Sequence, residues 1–343
     1  MGRTGRTGRT GSGRVGGAGG AVVRRGALAA GVVLVLTAAT GCTASSEDDN
    51  DGDGRDYRRI TLAVPPWAGA RANVAVAQRL LERELGIGVT VEVMTGADSW
   101  DALNDGSVQA ILEDWRVYTD REEKYLEKRR TVIEAGDLGV TGHIGWFVPK
   151  YYADENPGIT DWENLNDHVE DFQPSGGRGR FIGADAQFTN YDAHLVENLE
   201  LDYRIDETEG EDGLLAAIDE AYEAREPFLT YWYEPHWKNL ELDLVEVELP
   251  TFVEGCNEPV ERADCAYPTM PLQKYFHTDF EEHGGTAAEF LRNFRWSNEH
   301  QNEVAAMIGD EGVPAEEAAD RWIKENEAVW SSWMPERPAR GPG

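Results

Sequence analysis

The stretch TYWYEPHW, residues 230–237, holds Tyr231, Trp232, Tyr233 and Trp237, with Pro235 and His236 between them. Two further tryptophans, Trp67 in AVPPWAG and Trp115 in ILEDW, each follow a short apolar run. Ring faces attract a cation that has no N–H to donate, and each contributes roughly 0.5–2 kcal/mol while burying the methyl groups. Three or four such walls supply about 2–6 kcal/mol, short of the ~8 that a micromolar site needs, so a second handle is required. FTNYDAHLVENL offers one. Thr189 and Asp192 have capping-box spacing, and the N–H groups near Thr189 and Asn190 suit a carboxylate, with Phe188 as one more ring. His236 is a further candidate donor to that carboxylate. Ammonium at one end and carboxylate at the other describes a betaine.

Each of these residues also has a plainer structural reading. A Trp after a strand commonly packs the core, Thr-x-x-Asp commonly only caps a helix, and His beside Pro commonly braces a turn. Trp100, Trp162, Trp296, Trp322, Trp330 and Trp333 fall in helical segments and read as packing.

The elements that must position the rings follow from periodicity. RRITLAVPPW alternates Ile60, Leu62 and Val64 and stops at Pro65, a strand; ANVAVAQRLLEREL sets Val74, Ala77, Leu81 and Leu85 on one helical face. VTVEVMTG and VQAILEDW read as strands around a short helix at SWDALNDG, and TDREEKYLEKRR as a charged helix. A second series has a strand at 143–148, a helix around 161–171, GRFIGAD as a strand, two helices, PFLTYWY as a strand, a strand at LVEVELPTF, then mostly helices. Repeated βα alternation with short connections implies parallel sheets covered by helices. The expected plan is α/β with two lobes, crossings near 141 and 242, and a cleft between them. Trp67, Trp115, Tyr233 and Trp232 end strands, the place where open α/β sheets hold ligands.

Charge and export signals narrow the class. Residues 1–41 carry six of the 32 basic residues and no acid, leaving 26 basic against 64 acidic, a net of −38. Nucleic acid is excluded as a partner on that balance. GAVVRRGALAAGVVLVLTAATGC reads as an export signal over 1–41, and the run is too short for a comfortable membrane span. Its AATGC end is lipobox-like, making Cys42 the lipidation site, followed by an acidic flexible tether over 42–57. Cys256 and Cys265 are then left to form a disulfide in an oxidising compartment, and the seven His show no zinc-like spacing, so neither metal nor cofactor is expected.

The lipobox, AVPPWAGARANVAVAQRLLERELG, ILEDWRVYT, GWFVPKYY, FIGADAQFTNYDAHLVENL and TYWYEPHW together resemble the substrate-binding proteins of glycine betaine/proline betaine ABC importers, in order over residues ~58–336. The resemblance implies a periplasmic-binding-protein-like fold of type II, with lobe I formed by 58–141 plus 242–336, lobe II by 142–241, and a disordered tail over 337–343. It implies an aromatic cage for a quaternary ammonium: Trp115 at the strand-terminal position, Phe188 where Trp is frequent, and Tyr233 two residues before Pro235. Thr189 and Asn190 match the amides that meet the carboxylate, and His236 a His that contacts it in some members. Trp67 is included from its place after the first strand, and Trp232 is displaced by one residue onto the opposite face. The implied role is capture without chemistry, at an extracytoplasmic, lipid-anchored location, for delivery to a membrane permease with its ATPase. Phe and Tyr at two cage positions leave choline, carnitine and ectoine open beside the betaines. The competing readings are an amino-acid binder of the same fold and a carbohydrate-active enzyme using Glu113 or Asp114 beside Trp115.

Overall fold

The computed structural model describes residues 57–173, 176–185, 188–189 and 191–335, all within one compact unit. The signal segment, Cys42, the tether through residue 56, Asn190 and the tail lie outside the described residues.

Among the described residues nine strands form: β1 Arg59–Val64, β2 Gly88–Val93, β3 Ala110–Asp114, β4 Val132–Pro149, β5 Gly179–Gly183, β6 Tyr203–Glu207, β7 Leu229–Glu234, β8 Leu244–Glu246 and β9 Met270–His277. They make two sheets that share β4. The first runs β2-β1-β3-β9-β4, and the second runs β4-β7-β5-β6, with β8 also on β4. The architecture is the two-lobed α/β plan, and β4 carries the chain from one sheet to the other between Gly142, paired with β9, and His143, paired with β7.

The sheets are mixed rather than parallel. β1 pairs parallel with β2 and β3, and β5 with β6 and β7, but β9 and β4 run against their neighbours. β9 is the strand that returns to complete the first sheet. Its sequence, MPLQKYFH, hides that role because Lys274 sits fully buried in it, its Nζ donating to the carbonyls of Leu291, Arg292 and Phe294 at the end of the helix Gly285–Asn293. β4 begins eleven residues before the expected 143, at Val132. Gly136 and Gly139 adopt positive φ there and the register shifts twice, so bulges break the period-two pattern that marks a strand. β6, half-exposed and charged, lacked the alternation as well.

Two helical expectations change in kind. Residues 162–172 form successive 3-10 turns, with Leu165, Val169 and Phe172 buried, and the charged segment after Thr119 passes from one α turn into a π-helix ending at Arg129. The long helix Ala68–Glu84 packs on the first sheet through Ala72, Val76, Leu80 and neighbours, as the apolar spacing requires. Trp100, Trp296, Trp322 and Trp333 are buried packing residues, Trp322 and Trp333 stacking at 6.0 Å; Trp162 and Trp330 pack at its edge.

Because β8 still pairs with Phe147–Pro149 of β4, the chain leaves the second sheet after Glu246 rather than near 242. The return segment contains the Cys256–Cys265 disulfide, Cα atoms 6.2 Å apart. It is laid against the helix Tyr191–Asn198: Tyr191 Oη donates to Cys265 O at 2.8 Å and Asn198 Nδ2 to Ala263 O at 2.8 Å. Among the described residues no helix is long and apolar enough to cross a membrane.

Candidate ligand-binding site

Strand ends bring the rings together. Pro65 and Pro66 stop β1, and Trp67 takes the extended backbone just before the Ala68 helix. Trp115 follows β3 directly, and Phe188 lies in the turn after β5. In β7 the residues alternate, so Tyr231 and Tyr233 share one face while Trp232 points to the other. Trp67, Trp115, Phe188, Tyr231 and Tyr233 line one cleft of about 620 Å³ including its open mouth, with Tyr118 and Ile144. Trp67 meets Phe188 edge-on at 5.7 Å and Trp115 meets Tyr233 edge-on at 5.6 Å. Each pair joins a ring from the first sheet to one from the second.

One carboxylate holds the first-sheet rings. Glu113 Oε1 accepts from Trp67 Nε1 at 2.6 Å and from Trp115 Nε1 at 2.8 Å, while Oε2 accepts from Asn73 Nδ2 and, at 3.1 Å, from Gln301 Nε2. Burial pushes the Glu113 carboxyl up to about 7, against the donors Trp115 and Trp67, and nearby Glu211 adds to the rise. Asp114 beside it is raised to about 6 by burial, against the Arg116 N–H and the Trp100 indole that it accepts.

Close backbone approach shapes the walls. A Cβ on Gly142, where β4 changes sheets, would stand 2.7 Å from the Trp115 ring, and one on Gly96 would stand 2.3 Å from the Tyr118 ring. Both glycines leave room for an aromatic wall.

A second carboxylate joins the two sides. Glu211, in the first turn of the helix Gly210–Glu223, accepts from Tyr233 Oη at 2.7 Å and lies 3.2 Å from His236 Nε2, both through Oε1. Its Oε2 accepts the backbone N–H of Ala68, across the cleft, at 2.9 Å. Burial pushes the Glu211 carboxyl up, yet His236, Tyr233 and the Ala68 amide outweigh it and leave it below the ordinary carboxylate value.

Of the residues singled out from sequence, Trp67, Trp115, Phe188 and Tyr233 come together in the cleft. His236 is buried behind Tyr233, its Nε2 on Glu211 and its Nδ1 accepting the Lys238 N–H at 3.0 Å. Thr189 borders the mouth and uses Oγ1 to accept the Tyr191 N–H at 3.0 Å. Asn190 lies outside the described residues. The capping box does not close: Asp192 instead accepts from Trp146 Nε1 at 2.6 Å and Tyr267 Oη at 2.8 Å, and burial raises its carboxyl to about 6. Trp232 is buried on the opposite face, its Nε1 donating to Asn239 Oδ1. Sequence reasoning passed over Tyr231, which its position two residues before Tyr233 could have revealed, and over Tyr118 and Glu211, which carry no local signal. Among the described residues no group of three or more His, Cys, Asp or Glu could hold a metal.

Residues 58–325 match the family described as the substrate-binding domain of ABC-type glycine betaine transport systems. The chain is 24% identical over 207 residues to the trimethylamine N-oxide-binding protein of Pelagibacter ubique, covering 58% of this chain and 64% of that one. It is 26% identical over 144 residues to a glycine betaine/carnitine transport binding protein of Listeria monocytogenes, covering 40% of this chain and 44% of that one. The aligned stretches thus span less than two thirds of either relative. Among solved structures, the fold is similar to that of lactococcal OpuAC closed around glycine betaine, with TM-score 0.65, 16% identity and coverage of 81% and 99%. A glycine betaine/L-proline-binding protein from Borrelia burgdorferi gives TM-score 0.66, 17% identity and coverage of 81% and 97%.

Proposed function

The chain belongs to the family of substrate-binding domains of ABC-type glycine betaine transport systems, and on that premise we propose that it captures a quaternary ammonium solute outside the cytoplasm for a membrane permease driven by its ATPase. The observation that carries the proposal is the meeting of rings from two sheets at one cavity: Trp67 and Trp115 from the first, Phe188, Tyr231 and Tyr233 from the second. A methylated cation lying between them gains attraction from several faces while its methyl groups leave water.

No chemistry is asked of the site. Glu113 positions the indoles, and His236 acts through Glu211 rather than on the solute. The lobes, 58–141 with the returning C-terminal part up to 336 and the intervening second-sheet part, hinge about β4 and the return segment, and closing them assembles the cage. Upstream, Cys42 is the lipid attachment point and the acidic stretch after it the tether that lets the domain reach its permease.

Isothermal titration of the purified protein against glycine betaine, choline, carnitine, ectoine and proline tests this reading. Saturable binding of at least one trimethylammonium compound with micromolar Kd, about −8 kcal/mol, is expected. Binding of ectoine or proline with none of the trimethylammonium compounds would replace it.

A further inference from the structure

The identity of the solute's other arm rests on the reading just given and follows from the charges around the cage. The charged side chains that line the cavity are Glu113 and Asp114, and no Lys, Arg or His lines it among the described residues. Arg116 stands at the neighbouring mouth, half-exposed, and its guanidinium pairs with Glu122 at 3.2 Å.

Among the described residues, a set of donors that an anionic arm would need is already in use. A helix N-terminus, a phenol and an imidazole converge behind Trp67 and Tyr233, a combination well suited to a carboxylate. Glu211 takes all three: Ala68 N–H at 2.9 Å, Tyr233 Oη at 2.7 Å and His236 Nε2 at 3.2 Å. Ala68 opens a 17-residue helix of the first sheet, whereas Glu211 belongs to the second. The protein's own carboxylate therefore fills, from across the cleft, the corner a betaine carboxylate would seek. At the other candidate corner, the start of the helix Tyr191–Asn198, a second buried carboxylate stands in the first turn, Asp192.

We propose that this cleft selects an organic cation whose remaining arm carries no carboxylate, and that Glu211 is the specificity-determining residue that withholds the Ala68, Tyr233 and His236 donors from an anionic arm. A trimethylammonium with an uncharged hydroxyl arm then meets ring faces at one end and needs no anion-binding donors at the other. A zwitterion of the same size brings its negative end toward Glu113, Asp114 and Glu211, with no Lys, Arg or His among the described lining residues to meet it.

Choline and glycine betaine form a matched pair, alike in the trimethylammonium head and different in hydroxymethyl against carboxylate. Calorimetric titration of the full chain with each should give choline the tighter binding by about tenfold or more. Glu211→Gln, which removes the charge, should narrow that ratio by about tenfold, chiefly by improving betaine binding. Glu211→Ala, which clears the corner altogether, provides the same comparison where the amide variant fails to fold, and the wild-type ratio decides the solute class independently of either. Equal or tighter binding of glycine betaine by the wild type overturns the inference and leaves the quaternary ammonium reading standing. A wild-type preference for choline that both variants retain overturns the role of Glu211. Absence of binding by both compounds overturns the inference together with the reading beneath it.

Discussion

Glu113 shows how a single buried carboxyl can orient a whole wall of a cleft. Both indole N–H groups of the first-sheet rings end on its Oε1, so the ring planes are set by one atom. Its carboxyl is raised from 4.5 to about 7 by burial. Between those values the folded protein holds a proton that the unfolded chain has released, so the stability contributed by this group is full below 4.5 and lost as pH rises through 7, roughly 3 kcal/mol in all. Urea denaturation at about pH 5 and about pH 8 should therefore show Glu113→Gln losing less stability on the alkaline step than the wild type does. Equal losses would show that Glu113 does not titrate in this range. A bound cation favours the ionised form, so solute affinity should rise with pH across the same interval, and calorimetry at the two ends measures it. The rings themselves are tested by Trp115→Ala and Tyr233→Ala, each expected to weaken solute binding by about 0.5–2 kcal/mol or more with the fold retained by circular dichroism. Trp115 and Tyr233 could be singled out in sequence because each is a ring at the end of a strand, where open α/β sheets hold ligands, and the fold brings both to the cleft. Glu211 was not, since its partners Ala68, Tyr233 and His236 are distant in the chain and only the folded cleft unites them.

At the scale of elements, β4 matters most. It is the strand common to both sheets, and Gly142 stands where it passes from one to the other and where an added Cβ would lie 2.7 Å from the Trp115 ring. A methyl at that position must displace the indole or Leu272, both 2.7 Å away, so Gly142→Ala should lower solute affinity by about tenfold while costing about 1–3 kcal/mol of stability. Unchanged affinity would mean that the ring relaxes without leaving the cage. The βα alternation from β1 through β3, residues 59–114, could be read from period two and period 3.6 because each element there is regular. β4 escaped in its first half through bulges at Gly136 and Gly139, and β9 through a buried lysine whose three carbonyl acceptors come from elsewhere in the fold. Local pattern reports local regularity, so elements defined by distant partners are the ones it misses.

For the whole molecule, the cleft is held together by contacts between its two sides: Trp115 with Tyr233, Trp67 with Phe188, and Glu211 with the Ala68 amide. These contacts describe a closed arrangement, and few of them survive if the sides separate. Small-angle scattering should accordingly show a smaller radius of gyration with solute than without, because binding favours the state in which both sets of rings reach the ligand. The family and the two-lobed plan were legible in the order of the motifs, whereas closure was not, because it depends on side-chain geometry across the cleft. A co-crystal structure with a trimethylammonium solute would locate the cation directly. The quaternary nitrogen is expected within about 6 Å of the ring centroids of Trp67, Trp115, Phe188 and Tyr233. A solute bound elsewhere, or bound in the cleft with its nitrogen away from those faces, would contradict it.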